Sequence, residues 1–279
     1  MKLFQLKTLA LAFITLASFY SFGQDFQGKA YYQTKTTVDM SQFGRGGQQP
    51  SPDQMKRIQE RMKSFLEKQY ILDFNREESI YKEEERLEAQ GSGRGFGGFT
   101  SSLTSGPKYK NVKSKEILVD QEFFGKQFLI KDELVPIQWT MGKESKQIGQ
   151  YTVFKATATV PDTSFDVSSF RGPRGGVDKQ EEEKTERTVD VVAWYTPQVP
   201  VNQGPDNYWG LPGLILEVNA GNTTILCTKI VMNPKDKDTI DKPEKGDVVT
   251  QEEYTKITTD KMEELRNSRG RGRGRGGRN

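Results

Sequence analysis

The chain has 279 residues with one cysteine and no histidine, and its 41 lysine and arginine residues slightly outnumber its 38 acidic residues. The absence of histidine excludes Ser-His-Asp and Cys-His catalysis and every histidine-based zinc site. A single cysteine, Cys227, excludes a framework of internal disulfides, so stability has to come from the burial of apolar side chains.

The first 23 residues are typical of a cleavable export signal. Lys2 and Lys7 lie beside a charge-free apolar run over residues 9–22, and small residues precede Gln24. The run is shorter than the roughly 20 apolar residues of a spanning helix, which makes a membrane anchor the weaker alternative. We expect a mature chain that begins near Gln24 and lies in the periplasm or cell envelope.

Strand patterns recur along most of the mature chain. Alternating apolar and polar residues predict strands at 26–38, 70–74, 78–82, 116–124, 127–130, 151–160, 187–195, 214–218 and 223–232. Gly125-Lys126 and Ala220-Gly221-Asn222 are typical of hairpin turns, and residues 143–149 are predicted to form a polar turn. This order favours a mainly β (α+β) fold with a large antiparallel sheet.

Two helices are predicted, one early and one late. Ser51 is a plausible N-cap with Pro52 at the first helical position. The early helix carries one apolar stripe, which we expect to pack on the sheet: Met55, Ile58, Met62, Phe65 and Leu66. Tyr254, Ile257, Met262 and Leu265 suggest a short helix near the end of the chain.

Glycine-rich or polar stretches interrupt this pattern at residues 43–51, 91–107 and 161–184, and we predict flexible inserts there. Residues 24–267 are predicted to form one domain, followed by a disordered tail at 268–279. The tail arginines are candidates for binding envelope polyanions, against the alternative of a solubilising tail: Arg269, Arg271, Arg273, Arg275 and Arg278. Export argues against nucleic acid as the partner.

Residues 204–217 form the most distinctive stretch of the chain. A loop dense in glycine and proline, with Tyr208 and Trp209 side by side, leads directly into an apolar strand. Tyr208 and Trp209 are candidates for binding a ligand or partner, because aromatic side chains supply large contact areas, and the alternative is that they cover the end of a sheet. The residues that follow are predicted to have a structural role: Gly210, Leu211, Pro212, Gly213, Leu214 and Ile215.

Several sequence blocks resemble the GLPGLI family of Bacteroidota in their order along the chain. These are residues 148–151, 155–157, 193–196, 199–201, 204–205 and 210–217. The resemblance spans roughly residues 26–233 and implies an exported cell-envelope protein with no activity common to the family. It also implies a curved sheet partly wrapped round a helix, similar to the half-barrel of lipoprotein carriers.

No catalytic residue, cofactor or metal site is predicted. Residues 93–98 match a dinucleotide fingerprint without its strand and helix, and Asp236, Asp238 and Asp241 lack the other features of a calcium loop. Cys227 is expected to be a buried, inert thiol.

The leading hypothesis is a non-enzymatic envelope protein that binds an apolar ligand or a partner protein in the concavity of a curved sheet. The candidate partners are an outer-membrane transporter or barrel protein, or a lipid. A structural or adhesive accessory held to anionic polymers by Arg/Gly segments is one alternative. A hydrolase that uses carboxylates such as Glu144 and Glu217 is another.

Overall fold

Twelve strands form one open sheet in the computed structural model, which describes residues 26–38, 51–84, 106–162, 187–235 and 239–271. The strand order is β12-β6-β5-β4-β3-β2-β1-β11-β10-β9-β8-β7. All neighbours are antiparallel except β12 and β6, which are parallel. The predicted mainly β fold with a large antiparallel sheet is confirmed. The predicted export signal and most of the three predicted inserts lie outside the described residues.

The strands and helices have the following bounds. In chain order they are β1 Gln27–Thr36, α1 Pro52–Leu66, β2 Glu67–Asn75, β3 Glu78–Glu83, β4 Lys108–Asn111, β5 Glu116–Phe123, β6 Lys126–Glu133, β7 Thr140–Ile148, β8 Tyr151–Pro161, β9 Thr188–Thr196, β10 Leu214–Ala220, β11 Thr223–Met232, β12 Asp247–Val249 and α2 Gln251–Arg271.

Two hairpins follow the turn chemistry of the sequence. Gly221 and Asn222 join β10 to β11 within the predicted turn. The turn between β5 and β6 is Phe124-Gly125, one residue earlier than predicted, with positive φ angles of 49° and 77°. Two consecutive positive φ angles are the requirement of a type I′ turn, which matches the twist of the strands.

The predicted polar turn at residues 143–149 was wrong. These residues, except Gly149, belong to β7, which is the edge strand of the sheet and is exposed along most of its length. An exposed edge strand needs no apolar face, so the alternation that reveals other strands is missing. Strand β4 was not predicted, because its four residues, Lys108–Asn111, are too few to show a pattern.

Helix α1 begins at the predicted residue. The Ser51 Oγ accepts a hydrogen bond from the Gln54 backbone N–H at 3.3 Å, and the Gln54 Oε1 accepts one from the Ser51 N–H at 3.0 Å. This reciprocal pair is a capping box. Leu66 is buried whereas Met55 is exposed, so the described part of the stripe contacts the sheet at the C-terminal end of the helix.

Helix α2 is longer than predicted and includes the first four residues of the predicted tail. Its first turn docks on the sheet through Tyr254, whose ring packs edge-on against Phe123 and Phe128. Residues 272–279 lie outside the described part of the chain. Among the described residues, no helix is both long and apolar enough to span a membrane.

The sheet is strongly curved, because a short segment connects its two ends. In a flat sheet, ten steps of about 4.8 Å would separate β6 from β7 by about 48 Å. Only residues 134–139, which we call the strap, join these strands, and a chain of this length spans at most about 25 Å. The sheet therefore bends into an open half-barrel, with the strap across its opening.

Candidate functional site

Residues 197–213, which we call the motif loop, connect β9 to β10 and fold back along β10. The Leu214 N–H donates to the Val199 carbonyl at 3.0 Å, and the Ile215 N–H donates to the Gln203 carbonyl at 3.1 Å. Val199, Val201 and Leu211 are buried in the same core cluster as apolar residues of β1, β2 and β3. The loop therefore packs against the concave face of the sheet.

Side chains of β1, β3 and β4 hold the motif loop and the start of β10 in this position. The Tyr32 hydroxyl of β1 donates to the Ile215 carbonyl at 2.7 Å, and Ser79 Oγ of β3 donates to Gln203 Oε1 at 2.8 Å. Lys110 Nζ of β4 donates to two carbonyls of the loop. The loop thus occupies the concave face between β10 and β4, where the sequence hypothesis placed an apolar ligand or a partner protein.

Lys110 is the most unusual of these groups because its side chain is fully buried, with 0% exposure. Its Nζ lies 2.6 Å from the Gly204 carbonyl oxygen and 3.2 Å from that of Tyr208. Burial is the main cause that lowers the pKa of Lys110 from 10.5 to about 7, and Lys108 lowers it further, while Asp206 acts in the opposite direction. Sequence reasoning missed this residue, since a lysine in a short polar strand carries no sign of burial.

At the rim of the same contact, Lys108 forms an ion pair with Asp206 of the motif loop. Lys108 Nζ also lies 3.4 Å from Asn207 Oδ1. Asp206 has a φ of 51°, a left-handed conformation that aspartate and asparagine adopt more readily than most residues. The left-handed backbone conformation at Asp206 therefore directs its carboxylate toward Lys108 of β4.

Replacing Asp206 with asparagine should lower the free energy of unfolding by about 1 kcal/mol, because Lys108 is mostly buried and loses its counter-charge. The loss should be measured by urea unfolding at low and high salt. Glu77→Gln is the matched control, since it breaks the solvent-exposed pair with Lys113 and should cost close to nothing. Equal losses in the two variants would show that the pair between Lys108 and Asp206 contributes no more to stability than the exposed pair.

Three tyrosines line the concave face beside the loop. Tyr70 and Tyr81 are stacked with ring centroids 4.7 Å apart, and Tyr32 meets Tyr81 edge-on at 6.1 Å. Burial is the main cause that raises the pKa of each of the three phenols. These groups therefore stay neutral and form an aromatic wall, which contributes packing and hydrogen bonds rather than charge.

Trp209 connects the motif loop to the strap. Its indole Nε1 donates to the Val135 carbonyl at 3.1 Å, and the Nε1 of Trp139 donates to the Trp209 carbonyl at 2.8 Å. Trp209 is only 7% exposed, so most of its ring already contacts the protein. Tyr208 is half-buried, and burial raises its pKa to about 12. A binding role for the pair stays a prediction, for which Tyr208 offers the larger accessible surface.

The other predicted residues do not assemble into a reactive centre in the described part of the chain. Glu144 pairs with Lys155, and Glu217 pairs with Lys146, so both proposed hydrolytic carboxylates are held in ion pairs. Cys227 is buried, and burial raises the pKa of its thiol to about 12. Among the described residues, no group of three or more acidic or cysteine side chains is arranged to hold a metal ion.

The predicted polyanion-binding arginines are not described at the level of side chains. Arg269 and Arg271 are in the last turns of α2, and Arg273, Arg275 and Arg278 lie outside the described residues. Asp236 and Asp238 also lie outside them. Polyanion binding by the tail therefore stays a prediction.

None of the curated proteins matches this chain in sequence. Structures of PNGF-II in the C2 and P21 space groups are similar, with TM-scores of 0.47 and 0.48 and sequence identities of 12% and 14%. They cover 83% of this chain, which spans only 32% and 33% of the PNGF-II chains, and we draw no conclusion about activity from them.

A family model described as "Protein of unknown function (Porph_ging)" matches residues 139–217. The match begins at Trp139 of the strap and includes β7, β8, β9 and the whole motif loop. It ends at Glu217 in β10. The stretch that resembles the family therefore comprises one edge of the sheet and the motif loop.

Proposed function

We propose that this protein is a non-enzymatic, exported cell-envelope protein of the GLPGLI family that binds a partner protein. The motif blocks named above and the match to a family of unknown function over residues 139–217 support the family assignment. The signal-like residues 1–23 support export.

A partner protein is favoured over an apolar small ligand because the motif loop packs its own apolar side chains on the concave face. Val199, Val201 and Leu211 are buried there among the residues of the sheet. A ligand would have to displace these contacts, and each fully buried aliphatic side chain contributes about 1.5–3 kcal/mol. Surface recognition requires no such displacement.

The observation that carries the proposal is the exposure of apolar side chains at the strap. Val135 is 70% exposed, and Met141, two residues beyond the strap, is 50% exposed. Contiguous exposed apolar surface is typical of protein interaction sites, and methionine is enriched at them. Hydrogen bonds between Trp209 and the strap residues Val135 and Trp139 hold the strap in place.

The experiment is site-specific photo-crosslinking in the cells that produce the protein. A photoreactive amino acid at Val135 or Met141 should capture one defined envelope protein. The same group at Val248 is the matched control, because this valine is 65% exposed on β12, at the other edge of the sheet, and should capture none.

The captured protein should then bind the purified chain, and Val135→Asp combined with Met141→Lys should weaken that binding at least about tenfold, or about 1.4 kcal/mol. Equal capture at Val248 would contradict the proposal. So would native mass spectrometry that finds a stoichiometric lipid on protein purified from its own envelope.

A further inference from the structure

The contact between Lys110 and the motif loop is matched to an uncharged amine. A neutral lysine amine carries two N–H bonds, whereas an ammonium group carries three. The structure provides two acceptors for Nζ, the carbonyl oxygens of Gly204 and Tyr208. An ammonium group would have a third N–H, and water could not accept a hydrogen bond from it because Lys110 is fully buried.

We propose that Lys110 is a proton-sensitive latch that fastens the motif loop to β4 through its neutral amine. When the amine takes up a proton, the conformation in which the loop leaves β4 and the ammonium group is hydrated becomes more favourable. This inference concerns the loop itself and does not depend on the identity of the partner proposed above.

The charged and titratable groups around Lys110 come from three strands and from the loop. The loop supplies Asp206 and Tyr208, and β4 supplies Lys108, which is paired with Asp206. In the sheet register, Lys108 lies opposite Tyr81 of β3, and Glu83 of β3 lies opposite Tyr70 of β2. Burial raises the pKa values of the three tyrosines, and the chain has no histidine.

The direction of the pH effect follows from the two states of Lys110. With the loop closed, burial lowers its pKa to about 7, and with the loop open, the hydrated amine regains its ordinary value of 10.5. Between these values the open state binds one more proton than the closed state. Loop opening should therefore become about tenfold rarer for each pH unit gained from about 7 to about 10, and should change little below pH 7.

Hydrogen exchange measured by mass spectrometry on the full mature chain tests the latch. After correction for the intrinsic exchange rate, protection of the Leu214 and Ile215 amides should rise about tenfold per pH unit between pH 7 and 9. The β5–β6 hairpin serves as the internal control and should show no such slope. Lys110→Met, which keeps most of the length of the side chain and removes the titrating amine, should abolish the slope at the loop.

Two outcomes would overturn the proposal: no slope at the loop of the natural chain, or the same slope at the hairpin, which would indicate global unfolding. A second measurement avoids any dependence on the folding of the variant. In the natural chain, an NMR titration of the Lys110 side chain should give a midpoint near 7, and a midpoint above about 9.5 would refute the latch.

Discussion

Gly213→Ala is expected to lower the free energy of unfolding by about 3 kcal/mol or more. A Cβ atom at this position would lie 2.2 Å from the carbonyl oxygen of Thr196 and 2.5 Å from its carbonyl carbon. Both atoms belong to the backbone of β9, so no side chain can turn away to relieve the clash. Urea unfolding of the two proteins, with equal slopes against denaturant, would measure the loss.

Gly149→Ala separates this clash from ordinary glycine strain. Gly149 has a φ of 57° in the turn between β7 and β8, and a Cβ atom added there would meet nothing within 4 Å. We expect this control to lose about 1 kcal/mol, which is the cost of a left-handed conformation. If Gly213→Ala lost no more than Gly149→Ala, the close approach of the motif loop to β9 would not be important for stability.

The local features of this fold could be predicted from the sequence because each depends on neighbouring residues. Ser51 and Pro52 set the start of α1, and Gly221-Asn222 sets a hairpin. The direct passage from the glycine- and proline-rich loop into Leu214 indicated a buried strand, and Leu214 is fully buried in β10. Such signals need only a few adjacent side chains and their backbone preferences.

The position of the motif loop could not be predicted, because it depends on contacts between distant parts of the chain. Lys110 and Gly204 are 94 residues apart, and Tyr32 and Ile215 are 183 residues apart. The short polar strand β4 does not indicate which face Lys110 occupies, and the pattern of β1 does not indicate the distant partner of Tyr32. The curvature of the sheet was likewise suggested only by family resemblance, whereas in the structure it follows from the length of the strap.

The structure bears directly on the two roles that the sequence left open for Trp209. One was the binding of a ligand or partner through the large contact area of an aromatic side chain, and the other was to cover the end of a sheet. In the structure its indole is buried and its N–H is satisfied by the strap. An aromatic residue in a loop can therefore be part of the core when the loop itself covers a sheet.

Trp209→Ala should consequently lower the free energy of unfolding by about 3–5 kcal/mol, as expected for the loss of a buried aromatic ring and the cavity that remains. It also leaves the Val135 carbonyl without its donor. Trp209→Phe keeps most of the ring volume and should lose less, about 1–3 kcal/mol, mainly through the missing N–H. Tyr208→Ala should also lose less than Trp209→Ala, since Tyr208 is only half-buried. Chemical unfolding monitored by far-UV circular dichroism would rank the three variants.

The same variants distinguish a structural role of Trp209 from a binding role, because the two roles predict different relations between protein stability and capture of the partner. If Trp209 acts only by supporting the strap, Trp209→Phe should keep the strap in place, and crosslinking from Val135 should stay close to that of the natural chain. If Trp209 contacts the partner itself, Trp209→Phe should weaken capture while stability changes little. A stable Trp209→Ala protein that no longer captures the partner would instead indicate the direct binding role.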